Sequence, residues 1–530
     1  MADRYEVIVV GGGPVGLALA VELGQRSIST LLVERHLEPQ RIPKGQGLTA
    51  RTLEHFYFWN CVDELRAARL LPVGYPIGSL TSYNNLMGEY WFVATPPIGR
   101  GGGASFYFQA NERLPQYLTE QVLRNRLAAL PSVKTLFGYS AKAFEQDDRS
   151  VRITISGEGW PYEEQVLEAD YLVGCDGVRS MVRETLDIDR GGEDFDQRMV
   201  LAVFRSRELH EGLKRFPEVT TYRVLKPELH GYWQFFGRID VGEGWFFHAP
   251  VPRDTSPDNY DFLGLIQQAA GFEFNAEFDH VGFWDLRIQV ANRYQQGRVF
   301  IAGDACHSHP PYGGFGLNAG LEDVANLGWK LAAVIQGWGG QGLLESYTEE
   351  RQPIFVETGE ALITGWIEKD REILERHSPE HHRAEFEAAW KQLAATASQQ
   401  SSEPYYEGSS VVTGPPGAAC TIHGQHTPVA LPGHHLTPQL LSTGMNVFEE
   451  LGSSLTLIAL SADEQSVRAF EQAAESLSVP LKVVLDTYEG DRQAYGARLV
   501  LVRPDQYVCW SGHEGPRDLV ALLCRVVGIT

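Results

Sequence analysis

Apolar and polar positions at the start of the chain follow the pattern of a strand, a turn, a helix and a second strand. The apolar run 7–10 is followed by the glycine-rich stretch 11–16, by apolar residues at helical spacing, and by a second apolar run, 30–33. This second run ends at Glu34. Such a βαβ unit, with G-x-G-x-x-G in its turn and an acid after its second strand, is typical of dinucleotide binding, for FAD and NAD alike.

The residues of the glycine-rich turn have separate functions in such a unit. Gly11 makes the turn, Gly13 allows the backbone to approach a pyrophosphate, and Gly16 allows the helix to pack on the strand. Pro14 and Val15 begin the helix, whose free N–H groups and positive end favour phosphate. The turn therefore predicts a pyrophosphate site, and a glycine turn that binds nothing is the alternative.

Two more apolar strands end in acids at positions where open α/β sheets bind ligands. The strand ending at Gly174 leads to Asp176, and the strand ending at Ala302 leads to Asp304. We expect both acids at the edge of the sheet that carries the glycine-rich turn. For Asp176, an ordinary Asp-Gly turn is the alternative. The loop 310–318 then combines prolines with glycines, so that its backbone can lie against a flat ring.

The remaining pattern predicts an α/β domain interrupted by a β-rich one. Apolar alternation and helical spacing predict strands at 133–137, 141–146, 151–156 and 165–169, and helices at 49–56, 117–130 and 321–335. Segments 72–110 and 190–284 are rich in aromatic residues at strand spacing, which either fill a core or form the wall of an apolar pocket. A second glycine-rich string, 99–104, has no strand before it and predicts a loop.

The C-terminal part has its own pattern. Serine-, glycine- and proline-rich sequence predicts a linker over 398–425. The alternation beyond it predicts strands and helices in the order strand 455–460, helix 465–477, strands 481–485, 497–502 and 507–510, and helix 516–527. The glycine-rich turn, Asp176 and Asp304 all precede residue 400. We therefore expect a core without this tail to bind its cofactor.

Composition limits the partners. A formal charge of −23 and a pI near 5.2 argue against nucleic acid, and no apolar run is long enough to span a membrane. The six cysteines are dispersed without C-x-x-C, which indicates free thiols in a reducing, cytoplasmic location, as does the lack of a secretory leader before the first strand. His307 and His309 have no third ligand nearby, so we expect no metal.

Three stretches occur in an order that a known enzyme family shares. They are the glycine-rich turn with its terminal Glu34, the stretch from Asp176 to Arg183, and Gly303-Asp304-Ala305. Over roughly residues 1–390 the chain thereby resembles the class A FAD-dependent aromatic monooxygenases, which are related to para-hydroxybenzoate hydroxylase and phenol hydroxylase. The tail is similar to the thioredoxin-like domain of the phenol-hydroxylase branch, where assembly, as in a homodimer, or bracing of the fold is its expected role.

The resemblance implies an α/β fold of three parts. These are an FAD-binding Rossmann-like domain of the glutathione-reductase type, an inserted β-rich substrate domain, and a thioredoxin-like C-terminal domain. The boundaries expected are 1–71 with 111–189 and 285–397 for the FAD-binding domain, 72–110 with 190–284 for the substrate domain, 398–425 for the linker, and 426–530 for the thioredoxin-like domain.

The resemblance also assigns roles at the cofactor. Glu34 would bind the adenosine ribose, Asp304 a ribityl hydroxyl, and Gln116 the flavin. Asp176 would serve FAD and the pyrophosphate of the nicotinamide cofactor, while Lys44 stands where relatives often have an arginine facing the pyrophosphate. The complete cofactor set is Gly11, Gly13, Pro14, Val15, Gly16, Glu34, Arg35, Lys44, Gln116, Asp176, Gly303, Asp304, Pro311, Gly313, Gly316, Leu317 and Asn318.

The implied activity is hydroxylation of a phenolic or related electron-rich aromatic ring. NADH or NADPH would reduce FAD, and O₂ would then give a C4a-hydroperoxyflavin that attacks the ring. Candidates for the catalytic base are Tyr222, Tyr232, His210, His230 and His248. Candidates for substrate contacts are Trp233, Phe235, Phe247, Pro311 and Tyr312.

Two other functions use the same fold. One is a flavin-dependent halogenase, although no Trp-x-Trp pair occurs in the chain. The other is a flavin-containing binding protein without turnover. For the monooxygenase, the aromatic-rich segments favour a neutral, hydrophobic or multi-ring phenol over a small benzoate. The arginines that could supply a counter-charge to a carboxylate are Arg205, Arg223, Arg238 and Arg287.

Overall fold

The computed structural model describes residues 4–94, 106–157, 164–397 and 403–529. The glycine-rich string 99–104 and the first part of the expected linker, 398–402, lie outside the described residues. No helix within the described ranges is long and apolar enough to cross a bilayer.

The strands of the described residues are β1 (Arg4–Val10), β2 (Thr30–Glu34), β3 (Gly47–Leu48), β4 (Ser79–Tyr83), β5 (Trp91–Ala94), β6 (Glu112–Arg113), β7 (Val133–Phe137), β8 (Tyr139–Gln146), β9 (Val151–Gly157), β10 (Glu164–Gly174), β11 (Arg190–Arg205), β12 (Thr221–Leu225), β13 (Gln234–Arg238), β14 (Gly244–Val251), β15 (Glu277–Ala291), β16 (Gln295–Gln296), β17 (Val299–Ile301), β18 (His307–Ser308), β19 (Glu403–Tyr405), β20 (Thr421–Gly424), β21 (Leu455–Leu460), β22 (Leu481–Asp486), β23 (Leu499–Val502) and β24 (Val508–Gly512).

The α-helices are α1 (Pro14–Gln25), α2 (Ala50–Phe58), α3 (Val62–Ala67), α4 (Gln116–Leu127), α5 (Met181–Thr185), α6 (Arg207–Gly212), α7 (Phe262–Ala270), α8 (Phe315–Ile335), α9 (Gln341–Glu357), α10 (Gly365–Arg376), α11 (Arg383–Thr396), α12 (Val447–Glu450), α13 (Glu464–Ser476) and α14 (Leu519–Val526). A π-helical segment, Thr358–Thr364, joins α9 to α10.

The first sheet is mainly parallel and has the strand order β16-β17-β10-β1-β2-β7, with β8 and β9 extending it beside β10. Its parallel strands are buried apolar runs because helices cover both faces of such a sheet. The register pairs Val10 with Val33 and with Gly174, and Gly174 with Ile301. The carboxyl ends of β1, β2, β10 and β17 therefore lie side by side, as the sequence predicts.

The second sheet forms the β-rich part, in the order β18-β15-β11-β14-β13-β12-β4-β5. Strands from segments 72–110 and 190–284 contribute to it, so these distant segments fold together. The α/β fold with its FAD-binding and β-rich parts, implied by the resemblance, is confirmed. The domain boundaries themselves stay predictions. One difference is local, because the two short strands expected at 165–169 and 171–174 form the single strand β10.

The C-terminal part contains the four-stranded sheet β22-β21-β23-β24, packed with α13 and α14. Its core continues into the first domain, because Trp329, Trp338 and Leu343 are buried in the same cluster as the β21 and β23 side chains. The segment 403–424, expected as part of a linker, carries the paired strands β19 and β20 and buries Tyr406 at 0% exposure. This shared core indicates that the tail stabilises the first domain, and cofactor binding by a chain cut near residue 400 stays a prediction.

A buried ionic network crosses the same boundary. Arg503 donates two hydrogen bonds to Glu350 on α9, at 2.6 and 2.9 Å, and others to Asp505. Lys330 on α8 donates to Glu350 at 2.7 Å. Burial alone would raise the pKa of Glu350, but the charges of Arg503 and Lys330 outweigh burial and hold this pKa well below its usual value. Burial lowers the pKa of Lys330 to about 8. The ion pair between Arg503 and Glu350 therefore joins the C-terminal part to α9 of the first domain.

Candidate active site

A cavity of about 1590 Å³ lies where the carboxyl edge of the first sheet faces the second sheet. Its wall includes the glycine-rich turn, the ends of β2, β10 and β17, the loop before α8, and residues of β11 to β15. Most predicted cofactor residues lie on this wall. Gly16 and Gly303 do not line it and act through backbone packing beneath it.

The glycine-rich turn has the close backbone contacts that the motif predicts. Gly11 has φ +104°, and a Cβ there would collide with the carbonyl oxygen of Cys175. A Cβ on Gly16 would collide with the carbonyl oxygen of Gly11. Gly13 differs, because a Cβ added there meets no protein atom within 4 Å and would point into open space at the N-terminus of α1. That space fits a pyrophosphate, which the first N–H groups of α1 can bind.

Glu34 ends β2 beside this turn. Its carboxylate accepts hydrogen bonds from the backbone N–H of Gly12 at 2.6 Å and of His36 at 2.8 Å. These two bonds fix the carboxylate at the cavity wall, where each oxygen keeps a lone pair for a ribose hydroxyl. Arg35 lines the cavity next to it.

Asp304, after β17, has an open carboxylate at the cavity. Within the described part of the chain it accepts no hydrogen bond, and its side chain is exposed to the cavity. Burial by the surrounding protein raises its pKa, while His307, Lys44 and Arg190 oppose that rise. A carboxylate in this environment is well placed to accept from a ligand hydroxyl.

Asp176, after β10, is used differently. Its carboxylate accepts from the Ser180 hydroxyl at 2.5 Å and from the Val182 N–H at 3.2 Å, which closes the turn before α5. Arg183 is buried and donates to the carbonyl oxygens of Val178 and Ala305. Its role is structural, whereas Arg179 is exposed on the cavity wall.

The loop before α8 has a backbone that only glycine adopts readily. Gly313 and Gly314 have φ of +73° and +66°, and a side chain on Gly313 would collide with the rings of Phe315 and Trp366. Two left-handed residues in succession turn the chain sharply into α8, which begins at Phe315 rather than at the predicted 321. No side chain caps this helix among the described residues, and residues 314–317 at its start line the cavity.

Asn318 holds in place the loop 310–318, which we call the ring seat because its backbone can lie against a flat ring. Its amide donates to the carbonyl oxygens of Gly47 and Gly314, at 2.9 and 2.8 Å, and accepts from the N–H of Thr49 at 2.9 Å. The side chain therefore positions two loops around the cavity instead of facing a ligand. Gly316 and Leu317 line the cavity from the first turn of α8, as Pro311 does from the loop.

The loop 44–48 lies on the opposite side of the ring seat. A Cβ on Gly45 would lie 3.2 Å from Leu317 and 3.3 Å from the Gln116 side-chain oxygen, so the loop, α8 and the start of α4 approach closely. Gln116 donates to Glu120 at 2.8 Å. Lys44 is exposed on the cavity wall, with its ammonium 3.4 Å from Gln40.

The second sheet supplies an aromatic wall. Phe235 on β13 pairs in register with His248 on β14, and both line the cavity together with Phe246. Trp233 also lines it, stacked on Tyr312 with ring centres 4.3 Å apart. Tyr312 itself is fully buried behind Trp233. Side chains of alternate strand residues thus build one apolar face toward the cavity.

Comparisons with known proteins agree with this geometry. The family model described as FAD binding domain matches residues 4–359, and the model described as aromatic-ring hydroxylase, C-terminal, matches residues 429–529. The chain belongs to the FAD-dependent aromatic-ring hydroxylases.

Individual relatives resemble the hydroxylase over nearly its whole length. It is 28% identical over 559 residues to the FAD-dependent monooxygenase apdD of Emericella nidulans, covering 96% of this chain and 87% of the relative. It is 28% identical over 555 residues to a 4-methyl-5-nitrocatechol 5-monooxygenase of a Burkholderia species, covering 98% and 97%. Aklavinone-11 hydroxylase in a ternary complex with FAD and aklavinone has a TM-score of 0.80 and 26% identity, covering 100% of both chains.

These relatives confirm the resemblance. The hydroxylase is a flavin-dependent enzyme with FAD as its cofactor, and its activity is oxygenation of an aromatic or related substrate. The alternatives of a halogenase and of a binding protein without turnover gain no support from them.

The structure does not bring most predicted base candidates of the hydroxylase to the cavity. Tyr222 is buried on the opposite face of the sheet and accepts from Arg238, which also bonds to His210. His230 is exposed in a turn with φ +48°, and Tyr232 packs against Arg371. Phe247, predicted as a substrate contact, also belongs to the opposite face, because it neighbours His248 in the strand.

His248 is the base candidate that does line the cavity. Burial lowers its pKa to about 3, so the imidazole is neutral. The indole N–H of Trp284 points at its Nδ1 from 3.3 Å, which makes Nδ1 the acceptor and leaves the proton on Nε2. His248 is therefore suited to donate a hydrogen bond, which is the opposite of the base role expected from sequence.

One cavity residue was not found from sequence. Arg113, in β6, is 9% exposed and lines the cavity without an acidic partner among the described residues. It stands in a polar stretch, Asn111-Glu112-Arg113, that has the composition of an ordinary surface loop. No local pattern distinguishes it, because its isolation depends on strands far away in the chain.

Proposed function

We propose that the hydroxylase uses NADH or NADPH and O₂ to insert one oxygen atom into the electron-rich ring of a phenol with more than one ring. The observation that carries this substrate class is the aromatic wall of Trp233, Phe235 and Phe246 opposite the seat for a flat ring. Removing apolar area from water contributes about 25 cal/mol per Å². A substrate with several rings therefore gains more here than a single small ring does.

The four arginines considered as counter-charges for a benzoate are all engaged elsewhere. Arg205 pairs with Glu277 and Asp279, and Arg287 with Asp194. Arg223 pairs with Asp370 at 3.1 Å, and Arg238 bonds to Tyr222 and His210. None of these four arginines is therefore free to pair with the carboxylate of a benzoate.

The residues present fit FAD. The open space at Gly13 accepts a pyrophosphate, the unbonded carboxylate of Asp304 accepts from a hydroxyl, and the backbone at Gly314–Leu317 leaves room for a flat ring. Bound FAD supplies the redox chemistry that links NAD(P)H to O₂. The chain holds the substrate ring against that seat, between the aromatic wall and the N-terminus of α8. The same apolar wall excludes bulk water from the reacting atoms.

The assignment of Asp304 can be tested by substitution. Asp304→Ala is expected to raise the Kd for FAD by about 10–100-fold, because a hydrogen bond to a charged acceptor is lost. Fluorescence titration of the apoprotein with FAD measures this. Asp304→Asn keeps an acceptor oxygen and should lie in between. An unchanged Kd in the alanine variant would remove Asp304 from the FAD site.

Arg179 is expected to bind the nicotinamide cofactor. Arg179→Met should raise the KM for NADH or NADPH by about 2–5-fold, since the loss is that of one exposed charge contact, and should leave FAD content unchanged. Arg183→Met provides the contrast, because its guanidinium bonds to buried carbonyl oxygens and its loss should lower the melting temperature instead. Equal KM values for Arg179→Met and wild type would contradict the assignment.

The substrate class can be tested on the purified enzyme with bound FAD. We expect 1-naphthol to stimulate NAD(P)H consumption more than phenol does, and both to exceed 4-hydroxybenzoate. Consumption stimulated best by 4-hydroxybenzoate would contradict the proposal. A homodimer and a cytoplasmic location are further predictions, which sedimentation and fractionation can check.

A further inference from the structure

Arg113 is a buried cation that faces the cavity, and no carboxylate among the residues that the structure describes pairs with it. Its side chain is 9% exposed, and its Nε and Nη2 atoms are buried with no hydrogen-bond partner in the described part of the chain. Its guanidinium carbon lies 5.9 Å from the ring centre of Phe246. Burial without a compensating charge lowers its pKa to about 10, which still leaves it protonated at neutral pH. A cation in such a place is stabilised by an anion from outside the chain.

Three other buried arginines do have hydrogen-bonding or ion-pair partners. Arg503 is held by Glu350 and Asp505, and Arg351 by Asp323 at 2.9 Å. Arg183 donates to two backbone carbonyl oxygens. In each of these cases the buried guanidinium donates hydrogen bonds to carboxylates or to backbone carbonyl oxygens. Arg113 is also buried, at 9% exposure, but has no such partners among the described residues.

Its position is between the ring seat and the aromatic wall. Arg113 pairs in register with Gly47, whose carbonyl oxygen accepts from Asn318 at the start of α8. On the other side is Phe246, whose ring centre lies 5.7 Å from that of His248. A substrate ring placed against the seat therefore has Arg113 at one edge, and His248 presents its Nε2–H from the same wall.

We infer that Arg113 binds an ionised ring oxygen of the aromatic substrate, with His248 as a second donor. This inference rests on the proposed function. The phenol binds as its anion, so the O–H bond is broken on binding and the proton is left in bulk water. An ionised oxygen donates electron density to the ring, which is what electrophilic oxygen insertion requires. The site then needs no side-chain base in the cavity for this step.

A carboxylate could also pair with a guanidinium. A carboxylate withdraws electron density from the ring that carries it, whereas the phenolate oxygen increases it. The position of Arg113 beside the ring seat, and not at a distant end of the cavity, places the anionic atom near the reacting ring. We therefore assign the site to the phenolate, and a naphthoate serves as the competing ligand in the test.

The test measures binding to the holoenzyme without turnover. The probe is 4-nitro-1-naphthol, whose ionised form is coloured, so difference spectra report both its affinity and its ionisation in the site. Its methyl ether, 4-methoxy-1-nitronaphthalene, cannot ionise, and 1-naphthoate carries the carboxylate. The variants are Arg113→Met, Arg113→Lys, and Arg205→Met as a control on an exposed arginine of the second sheet.

Wild type and Arg205→Met are expected to bind the naphtholate about 10–100-fold more tightly than the ether, because only the naphtholate accepts a charge-assisted hydrogen bond from Arg113. Arg113→Met should abolish this preference and shift ionisation of the bound probe to higher pH, and Arg113→Lys should restore part of it. FAD content of both Arg113 variants should stay at the wild-type level, which separates a loss of substrate binding from a loss of the cofactor.

Three results would overturn the inference. One is an unchanged preference in Arg113→Met, and another is loss of FAD from that variant, which would place Arg113 in the cofactor site. The third is tighter binding of 1-naphthoate than of the naphtholate, lost in Arg113→Met, which would make this a carboxylate site. If wild type neither retains FAD nor oxidises NAD(P)H, the proposed function itself fails, and that outcome is separate from these three.

Discussion

Replacing Gly13 with alanine is expected to abolish retention of FAD while leaving the fold intact. The new methyl group would meet no protein atom within 4 Å, so folding is not opposed. It would instead occupy the space in front of α1 where the pyrophosphate must approach the backbone. Losing two charge-assisted hydrogen bonds of about 1.5–3 kcal/mol each corresponds to roughly a 100-fold or greater rise in Kd. Flavin absorbance of the purified protein and its melting temperature measure the two effects.

Two matched glycines control this experiment. Gly191 also has open space at its Cβ position and lies outside the cavity wall, so Gly191→Ala should retain FAD. Gly16→Ala should lower the melting temperature as well as FAD content, because its methyl group would collide with the Gly11 carbonyl oxygen. A yellow Gly13→Ala protein with wild-type affinity for FAD would show that the pyrophosphate binds elsewhere.

Replacing Arg503 with methionine is expected to lower the free energy of unfolding by about 3–5 kcal/mol, the usual effect of removing one partner from a buried ion pair. Glu350 and Asp505 would then remain buried with less positive charge beside them. Because Glu350 lies on α9 and its partner Lys330 on α8, the loss should reach the FAD-binding domain. Urea unfolding, monitored by flavin fluorescence, measures the free energy of unfolding in the domain that holds the cofactor.

The exposed Arg498 of the same domain is the control, and Arg498→Met should change stability by less than about 1 kcal/mol. Truncation after residue 402 should have a larger effect than either substitution, since it also exposes Trp329 and Leu343. A truncated protein that retains FAD with wild-type stability would show that the C-terminal domain is only attached to the core.

The residues that meet at the carboxyl edge of the first sheet could be predicted from sequence because their positions depend on local geometry. The glycines of the turn, and the acids after β2, β10 and β17, follow directly from apolar strands whose carboxyl ends share one sheet edge. The same reasoning predicted Asp176 and Asn318 near this edge, and both line the cavity. It did not show that both side chains bond to protein groups: Asp176 accepts from Ser180 in its own turn, and Asn318 donates to Gly47 of another loop.

The substrate site was harder to predict because strand alternation must be known to the residue. Phe235 and Phe247 are equally aromatic, but only Phe235 faces the cavity. Long-range pairing is the second reason. Arg223 pairs with Asp370, whereas no carboxylate in the described ranges pairs with Arg113, and neither fact is contained in the surrounding sequence. The integration of the tail likewise rests on contacts more than a hundred residues apart.

Oxygen labelling of the product tests most directly whether this chain is an aromatic hydroxylase. Purified protein with bound FAD is incubated with 1-naphthol, NADH or NADPH, chloride and ¹⁸O₂, and the product is analysed by mass spectrometry. We expect a hydroxylated naphthol that carries one labelled oxygen atom, formed together with naphthol-dependent oxidation of NAD(P)H. A chlorinated product, or a product whose added oxygen comes from water, would contradict the assignment.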